Sequence, residues 1–295
     1  MSDIQSKNNE HFNKTATDYD NIPQVKEMTQ RAAEVVIREY IASTNEDYVK
    51  GASVIDFGCG TGLCAFNVAP KVGRLLGVDA SEGMLNYLNH KLTTNAENAS
   101  IRDKVKTVQH LVTFDDPLPE PERSQYLAGA DGGVDMVYSS FVMHHIEDVQ
   151  GITNALAQKL LKKDGWLIVL DFEGLHNHHH GDGKAHDHGH GHGHGHQHAE
   201  GEKHEHHDQH EHHGHHEHHG SENKVEEMHG HYVDADGKPL EFVAHKAGFT
   251  PEGFMEIFKK AGLVDVEAKH SFGMDREWSG KNIWTDVLVV KGRRP

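Results

Sequence analysis

The sequence predicts an α/β protein with a doubly wound, Rossmann-like, mostly parallel seven-stranded sheet, helices on both faces, and a disordered His-rich insertion after strand 5. Two observations predict this fold class. Short apolar runs alternate with amphipathic segments along the chain, and the joins between them are short. Such alternation favours parallel strands, because each parallel pair needs a crossover connection, which is usually a right-handed helical one.

The first predicted elements form two strand–helix units. Apolar residues recur at helical spacing over Gln24–Ser43, which predicts an amphipathic helix. Ala52–Phe57 is a short apolar run that ends at the glycines of GCGTG, and Leu63–Val72 follows as a helix. The stretch RLLGVDA repeats this plan as a second strand. Ser81 is suited to cap the next helix, which reaches about Thr93.

The later elements complete the set of seven strands. VKTVQHLV, VDMVYSS and GWLIVLDF predict three strands, with a helix over Val149–Leu161 between the last two. TPEGFMEIFKKAG has a helical period and a Gly stop, and LVDVEAKHSF and NIWTDVLVVKG predict the closing strands. We therefore expect a core of residues 23–173 and 241–295, an N-terminal covering segment 1–22, and a low-complexity insertion 174–240.

A glycine-rich turn, VIDFGCGTG, joins the first predicted strand to its helix. Gly58 and Gly60 permit positive φ and close approach of a ligand, and the helix start supplies free N–H groups. Asp56 precedes the turn, and Asp79 ends the second strand, where a carboxylate can accept both hydroxyls of a ribose. The spacing G-x-G-x-G is not the G-x-G-x-x-G that a nicotinamide oxidoreductase would show, and no P-loop Lys follows.

VIDFGCGTG followed by GVDAS resembles motif I and its partner in class I S-adenosylmethionine-dependent methyltransferases, especially the small-molecule and ubiquinone/menaquinone-biosynthesis type. FNKTATDYD resembles the segment that covers the cofactor in this family, and VDMVYSSFVMHHIED resembles its fourth strand and following loop. GFTPEGFMEIFKKAGLVDVE resembles a late helix and the sixth strand. The resemblance covers most of the chain outside 174–240, and it implies a methyltransferase that uses S-adenosylmethionine.

The resemblance also implies a cofactor site. Its candidate residues are Tyr19, Asp56, Gly58, Gly60, Asp79, Ala80, Met84, Asp115, Asp116 and Ser139. Asp56 and the two glycines are expected at the methionine end, Asp79 at the ribose and Met84 near the adenine. TFDDPLP resembles the adenine-contacting element, and either of its aspartates fits that position. Tyr19 is expected to close over the cofactor.

Methyl transfer requires a nucleophile aligned about 3–3.5 Å from the methyl carbon, with water excluded, whereas a base is optional. By this topology His144 and His145 after the fourth strand, Asp171 and Glu173 after the fifth, and His245 before the late helix project toward the substrate side. Each is a candidate catalytic base. A structural or cofactor-orienting role is equally open for the histidine pair, and Asp171 and Glu173 could be solvated strand-end acids.

Histidines define the insertion, because 21 of the 30 in the chain fall between His176 and His219. A polar segment has no face to bury, so it does not recover its ordering entropy without a ligand. Imidazole binds Zn, Ni and Cu. The candidate ligands are His188, His190, His192, His194, His196 and His198. Metal buffering or sensing, a metal-gated lid over the acceptor, and an expansion without a specific ligand all stay open.

The formal net charge of −17 disfavours nucleic acid or an anionic membrane as a partner, because binding phosphates needs a surplus of Lys and Arg. We expect a small-molecule methyl acceptor, with a basic protein as the alternative and with divalent metals as further partners. Cys59 and Cys64 lack disulfide or metal spacing, and residues 1–25 contain no signal-peptide stretch. A cytoplasmic protein is expected, with the nucleus also open. The oligomeric state is not predicted.

The rival function is a metal-storage or sensing protein on a methyltransferase scaffold. Such a scaffold would no longer need a cofactor loop. Asp56, Gly58, Gly60 and Asp79 are nevertheless all present. This combination favours the methyltransferase.

Overall fold

A seven-stranded sheet forms the centre of the protein in a computed structural model, which describes residues 2–128, 132–174, 238, 240–278 and 281–295. The strands are β1 (Ser53–Phe57), β2 (Arg74–Asp79), β3 (Val105–Gln109), β4 (Val134–Ser140), β5 (Leu161–Phe172), β6 (Val264–Trp278) and β7 (Lys281–Arg293). Their spatial order is β3-β2-β1-β4-β5-β7-β6. Strands β1 to β5 pair in parallel, and β7 runs antiparallel to both β5 and β6. The predicted Rossmann-like, mostly parallel seven-stranded sheet is confirmed.

Helices lie on both faces of this sheet. They are α1 (Asp3–Tyr19), α2 (Val25–Ser43), α3 (Glu46–Gly51), α4 (Leu63–Val68), α5 (Glu82–Thr94), α6 (Glu122–Tyr126), α7 (Val149–Ala155) and α8 (Pro251–Lys260). A π turn, Leu156–Leu160, continues α7. Ser81 Oγ accepts from the backbone N of Met84 at 3.2 Å, so the predicted cap of α5 is present.

Two apolar cores flank the sheet. One contains residues of α2, α4 and α5, and the other contains residues of α7 and α8. Neighbouring strand residues face opposite cores: Val54 belongs to the first core and Ile55 to the second, and neither has any exposed surface. Burial on both faces explains why the strands read as continuous apolar runs. Each fully buried side chain of this kind stabilises the fold by about 1.5–3 kcal/mol.

The N-terminal segment is more ordered than the sequence pattern indicates, since Asp3–Tyr19 forms the long helix α1. Periodicity does not predict this helix, because most of its surface is polar and its buried residues are only Asn8 and Ala16. Polar contacts hold it instead. Asn13 Oδ1 accepts from Ser81 Oγ at 2.9 Å and from the backbone N of Gly83 at 2.8 Å. Helix α1 is thereby attached to the start of α5.

A second attachment holds the end of α1. Asp20, which is buried, accepts from Thr61 Oγ1 at 2.6 Å and forms an ion pair with Lys91. Thr61 belongs to the glycine-rich turn, and Lys91 belongs to α5. These contacts join the N-terminal helix to the first two strand–helix units.

The predicted insertion 174–240 lies outside the described residues, apart from residues 174, 238 and 240. All six candidate metal ligands in the histidine tract, from His188 to His198, fall outside them as well. Across the part of the chain that the structure describes, no three His, Cys, Asp or Glu side chains are grouped to hold a metal ion. Within that same part, the helices are too short or too polar to cross a membrane.

Candidate active site

A cavity of about 470 Å³ lies at the carboxyl ends of β1, β2 and β4, beneath α1. Its volume is within the range of small-molecule sites. Seven residues predicted for the site line it: Tyr19, Gly58, Gly60, Asp79, Ala80, Met84 and His145. The structure therefore brings the glycine-rich turn, the end of β2 and the turn after β4 together around one space.

The two glycines of the turn are needed for different reasons. Gly58 has φ +73°, and a Cβ there would lie 2.4 Å from Val142 Cγ2, so packing excludes any side chain. Gly60 has φ +53°, but a Cβ there would meet nothing within 4 Å. Gly60 therefore faces open space inside the cavity, where a ligand can approach the backbone closely.

Asp79 is held at the tip of β2 by backbone donors on both sides. Its Oδ2 accepts from the backbone N of Gly60, and its Oδ1 accepts from the backbone N of Ser81, both at 2.8 Å. Burial raises the pKa of this carboxyl, and the hydrogen bonds from Ser81 and Gly60 oppose the rise. Each carboxylate oxygen has a second lone pair. Asp79 can thus accept further hydrogen bonds from a diol in the cavity.

Asp56 lies behind the cavity wall rather than on it. Only 1% of its surface is exposed, and the hydroxyl of Tyr138 donates to its Oδ2 at 2.8 Å. Its other oxygen, Oδ1, has no hydrogen-bond partner among the described residues. Burial raises the pKa of Asp56 to about 7 against the effect of the Tyr138 hydrogen bond, and the nearby charge of Asp79 adds to the rise. Asp56 Oδ1 is therefore a hydrogen-bond acceptor without a partner among the described residues, and it lies beneath the glycine-rich turn.

In the segment after β3, the residues that line the cavity are closer to the end of the strand than the sequence resemblance indicates. Residues 110–114 line the cavity, whereas Asp115 and Asp116 do not. Asp116 instead accepts from Arg123 Nη2 at 2.6 Å on the surface. Thr113 and Phe114 of the TFDDPLP motif line the cavity, but its two aspartates do not.

The turn after β4, Met143–His145, is held by a buried carboxylate. His144 Nδ1 lies 2.8 Å from Asp171 Oδ1, and the backbone N of His144 donates to Asp171 Oδ2 at 3.2 Å. The backbone N of Phe172 also donates to Asp171 Oδ1. His144 and Asp171 are both buried, and neither lines the cavity. The sequence places them on the substrate side, but the structure shows them bonded to each other beneath the turn.

His145 is the member of the histidine pair that lines the cavity. Its Nδ1 lies 3.0 Å from the carbonyl oxygen of Phe242. Because a carbonyl only accepts, Nδ1 carries the hydrogen and Nε2 carries the lone pair of the neutral ring. Burial lowers the pKa of His145 well below its usual value, and the neighbouring His144 lowers it further. The ring therefore presents a neutral, hydrogen-bond-accepting nitrogen at neutral pH.

Three other candidates lie outside the cavity. His245 Nε2 is 2.9 Å from the carbonyl oxygen of Ile146, so this side chain braces the segment that follows His145. Ser139 is fully buried and donates to the carbonyl oxygen of Phe57 at 2.9 Å. Its neighbour Ser140 lines the cavity instead. Glu173 bonds His270 Nδ1 at 2.8 Å.

Sequence reasoning missed most of the cavity residues that the N-terminal segment contributes. Ser2, Gln5, Asn8, Asn9 and Phe12 all line the cavity. Only Phe12 falls in FNKTATDYD, the stretch that resembles the family's covering segment. The other four give no signal, because a polar helix far from the glycine-rich turn in sequence reaches the cavity only through tertiary packing. Glu147 and Asp148 also line the cavity, and they end the stretch VDMVYSSFVMHHIED, but the sequence resemblance implies no role for them.

The space fits S-adenosylmethionine by its donors and acceptors. Asp79 offers acceptors for a ribose, Gly60 leaves room over the backbone, and Met84, Leu111 and Val112 provide an apolar slot for a base. A sheet in this strand order, with its first glycine turn and the acidic tip of β2 facing one cavity, agrees with the resemblance of the sequence to class I S-adenosylmethionine-dependent methyltransferases.

Comparison with known proteins agrees. Residues 55–167 match the family model described as a methyltransferase domain. The chain is 25% identical over 313 residues to an uncharacterized methyltransferase of Schizosaccharomyces pombe. This alignment covers 97% of this chain and 86% of the relative.

Two solved structures are similar at lower identity. A Haloferax volcanii methyltransferase solved in complex with the Trm112 methyltransferase activator has 15% identity and a TM-score of 0.51, covering 96% of this chain and 97% of that chain. The magnesium protoporphyrin IX methyltransferase of Synechocystis PCC 6803, solved with bound S-adenosylmethionine, has 12% identity and a TM-score of 0.48. The match covers 100% of this chain and 99% of that chain. The first of these structures shares the fold of this chain.

Proposed function

We propose that the protein transfers a methyl group from S-adenosylmethionine to a small-molecule acceptor in the cavity beneath α1. The observation that carries the proposal is that one cavity is lined both by Gly60 and Asp79 and by His145. A nucleoside-binding wall and a neutral base thus share a space of about 470 Å³. Helix α1 lies over this space, which suits a small acceptor better than the surface of a macromolecule.

Four cavity residues have distinct roles toward the cofactor in this proposal. Asp79 accepts the two ribose hydroxyls, and Met84 packs beside the adenine. The backbone at Gly60 approaches the methionine end. Burial raises the pKa of Tyr19 to about 12, so its hydroxyl keeps its proton and can donate when the side chain closes the site. When bound, S-adenosylmethionine supplies an electrophilic methyl group on a sulfonium sulfur.

Asp56 acts on the methionine end through the turn above it. A ligand ammonium near Gly58 would favour the ionised carboxylate, because opposite charges lower the pKa of an acid. The unpartnered Oδ1 leaves Asp56 free to interact with such a charge. We therefore assign Asp56 to electrostatic attraction rather than direct lining of the cavity.

His145 is the group best placed to receive a proton from the acceptor. Its Nε2 holds the lone pair, while the hydrogen bond from Nδ1 to Phe242 sets the orientation of the ring. His144, Asp171 and His245 act as positioning residues, because each bonds the turn or the segment next to it without lining the cavity. The ring-to-carbonyl geometry resembles the arrangement by which catalytic imidazoles are commonly oriented.

Calorimetry tests the cofactor half of the proposal. S-Adenosylmethionine should bind the wild type, and Asp79→Ala should lose that binding, because it removes the acceptors for the ribose. Asp103→Ala, at an exposed position before β3, should bind as the wild type does. Loss of affinity in both variants, or in neither, would contradict the assignment of Asp79.

Tracing a labelled methyl group tests the acceptor half. Protein and labelled S-adenosylmethionine are incubated with a cell extract separated into small-molecule and protein fractions. Label should appear in the small-molecule fraction, and the signal should disappear with Asp79→Ala. Label confined to the protein fraction would replace the small-molecule acceptor with a protein.

A further inference from the structure

A segment that forms neither a helix nor a strand precedes α8 in the chain. This segment, residues 240–249, which we name the strap, is attached to the rest of the protein at two places. The backbone N–H groups of Ala244 and His245 both donate to the carbonyl oxygen of His144 at 2.9 Å. Farther along, the backbone N–H of Phe249 donates to the carbonyl oxygen of the last residue of β5, also at 2.9 Å. The strap therefore lies directly against the turn after β4.

Phe242 of the strap contacts two imidazole rings at once. Its ring is nearly parallel to the ring of His11 in α1, with 4.0 Å between centroids and 16° between planes. The ring of His145 is also nearly parallel to it, at 16°, with a centroid distance of 5.8 Å. The carbonyl oxygen of Phe242 accepts from His145 Nδ1 at 3.0 Å. Phe242 thus contacts α1 through its ring, and it contacts the imidazole of His145 through both its ring and its backbone.

The backbone of Phe242 lies in a loosely closed turn that precedes both attachments of the strap. The hydrogen bond that closes this turn, from the backbone N of Val243 to the carbonyl oxygen of Leu240, is 3.4 Å long, which is beyond the usual range. The attachments farther along have bonds of 2.9 Å. The position of the Phe242 carbonyl oxygen therefore depends on the contacts that the Phe242 side chain makes.

Helix α1 supplies those contacts mainly through aromatic rings. The neighbouring residue Glu241 pairs with Lys7 of α1 at 2.9 Å, but the two side chains are 74% and 40% exposed. Exposed ion pairs contribute little to stability. The half-buried ring of His11 stacks on Phe242, and the ring of Phe12 meets it edge to face at 6.1 Å. These two ring contacts are therefore the stronger means by which α1 holds Phe242.

The two ends of α1 are held unequally. Asp20, directly after the helix, is buried and bonds both the glycine-rich turn and α5. Toward its N-terminus the helix contacts the strap and the backbone of His145, whose carbonyl oxygen accepts from Asn8 Nδ2 at 3.1 Å. A polar helix of 17 residues has little stability of its own, so each half stays docked only through its contacts. The half with the more exposed contacts, residues 3–12, is expected to detach first.

We propose that Phe242 is a positioning residue that couples the docking of residues 3–12 of α1 to the orientation of the His145 ring. When this half of α1 detaches, Phe242 loses its ring contacts with the helix, and its carbonyl oxygen moves away from Nδ1. The imidazole is then free to rotate or to change tautomer. The coupling itself needs neither cofactor nor acceptor. Its consequence for the reaction rests on the proposed function: the imidazole is oriented to take a proton only while α1 covers the cavity.

NMR of the full-length protein without ligand, at pH 8, tests the coupling. Ring nitrogen shifts report the tautomer of His145, whose signal is identified among the 30 histidines as the one missing from His145→Phe. The wild type should show mainly the Nδ1–H tautomer, because Nδ1 faces a carbonyl oxygen. Hydrogen exchange of the amides of residues 7–12 reports detachment of α1.

Phe242→Leu keeps an apolar side chain and the backbone carbonyl but removes the aromatic ring. The ratio of the Nδ1–H to the Nε2–H tautomer of His145 should fall about fivefold or more, and exchange at residues 7–12 should become about fivefold faster or more. Exchange in β1 and β4 should stay unchanged, which shows that the variant is folded. Faster exchange in α1 with an unchanged tautomer ratio overturns the inference, and so does unchanged exchange in α1.

His11 tests the same coupling from the side of α1. His11→Ala removes the ring that stacks on Phe242 and should produce both changes, whereas His11→Phe restores an aromatic ring and should return both values toward the wild type. Thr17→Ala, at an exposed position of the same helix, should change neither. No recovery in His11→Phe, or an equal change in Thr17→Ala, overturns the inference. Because the measurements use no S-adenosylmethionine, failure of the proposed function would leave them fully interpretable.

Discussion

Replacing Asp56 with Asn should change how the stability of this protein depends on pH. The carboxyl is 1% exposed, and burial raises its pKa from 3.8 to about 7. Asn keeps an oxygen to accept from Tyr138 but cannot ionise. The substitution therefore removes a buried titration while keeping the size and one hydrogen bond of the side chain.

The size of the effect follows from proton linkage. A pKa difference of about three units corresponds to about 4 kcal/mol. In the unfolded chain Asp56 ionises near pH 4, whereas in the folded protein it holds its proton until about pH 7. The wild type therefore loses stability from this group as pH rises from 4 to 7, at up to about 1.4 kcal/mol per unit, and the full penalty is present above pH 7. The variant has no such loss.

Urea unfolding of both proteins without cofactor, at pH 5, 6, 7 and 8, measures the difference. The free energy of unfolding of Asp56→Asn should rise relative to the wild type with each step up to about pH 7 and then level off. The amide –NH₂ that replaces Oδ1 adds a pH-independent cost of about 1–3 kcal/mol, so the slope and not the offset carries the test. Asp103→Asn, at the surface, should give a curve parallel to the wild type. A parallel curve for Asp56→Asn as well would refute the reasoning.

Three further outcomes are expected. Gly60→Ala should lower the free energy of unfolding by about 1–2 kcal/mol, because a Cβ is unfavourable at a residue with left-handed backbone angles. The added methyl group lies in open cavity space, so S-adenosylmethionine binding measured by calorimetry should weaken more than tenfold. Asp20→Asn should lower the free energy of unfolding in urea by about 3 kcal/mol, because it leaves Lys91 buried without its anion. Adding Lys91→Met should restore part of the lost stability. No recovery in the double variant would contradict the ion-pair explanation. Deleting residues 176–228 should leave cofactor affinity unchanged, and a large loss would make the insertion part of the site.

Local patterns were enough to predict that the glycine-rich turn and the tip of β2 lie together at one cavity. The glycine-rich turn, the acidic tip of β2 and the cap at Ser81 lie within short stretches, so neighbours in sequence are also neighbours in space. The same is true of the fold class, because alternating strands and helices leave few ways to cover both faces of a sheet. These parts of the prediction depend on backbone geometry, which sequence patterns report well.

The wall of the cavity that contains His145 was decided by packing between distant segments. His144 and His145 are adjacent and alike in sequence, but a 3₁₀ turn directs one toward Asp171 and the other into the cavity. Asn8 reaches the backbone of His145 across 137 positions of chain.

The sequence by itself determined the fold class and the position of the glycine-rich turn, because alternating strands and helices leave few ways to cover both faces of a parallel sheet. Only the tertiary structure decided which polar residues line the cavity, because that choice depends on side-chain directions and on the docking of the polar helix α1. Neither the hydrophobic periodicity nor the motifs of the sequence indicate those side-chain directions or the docking of α1.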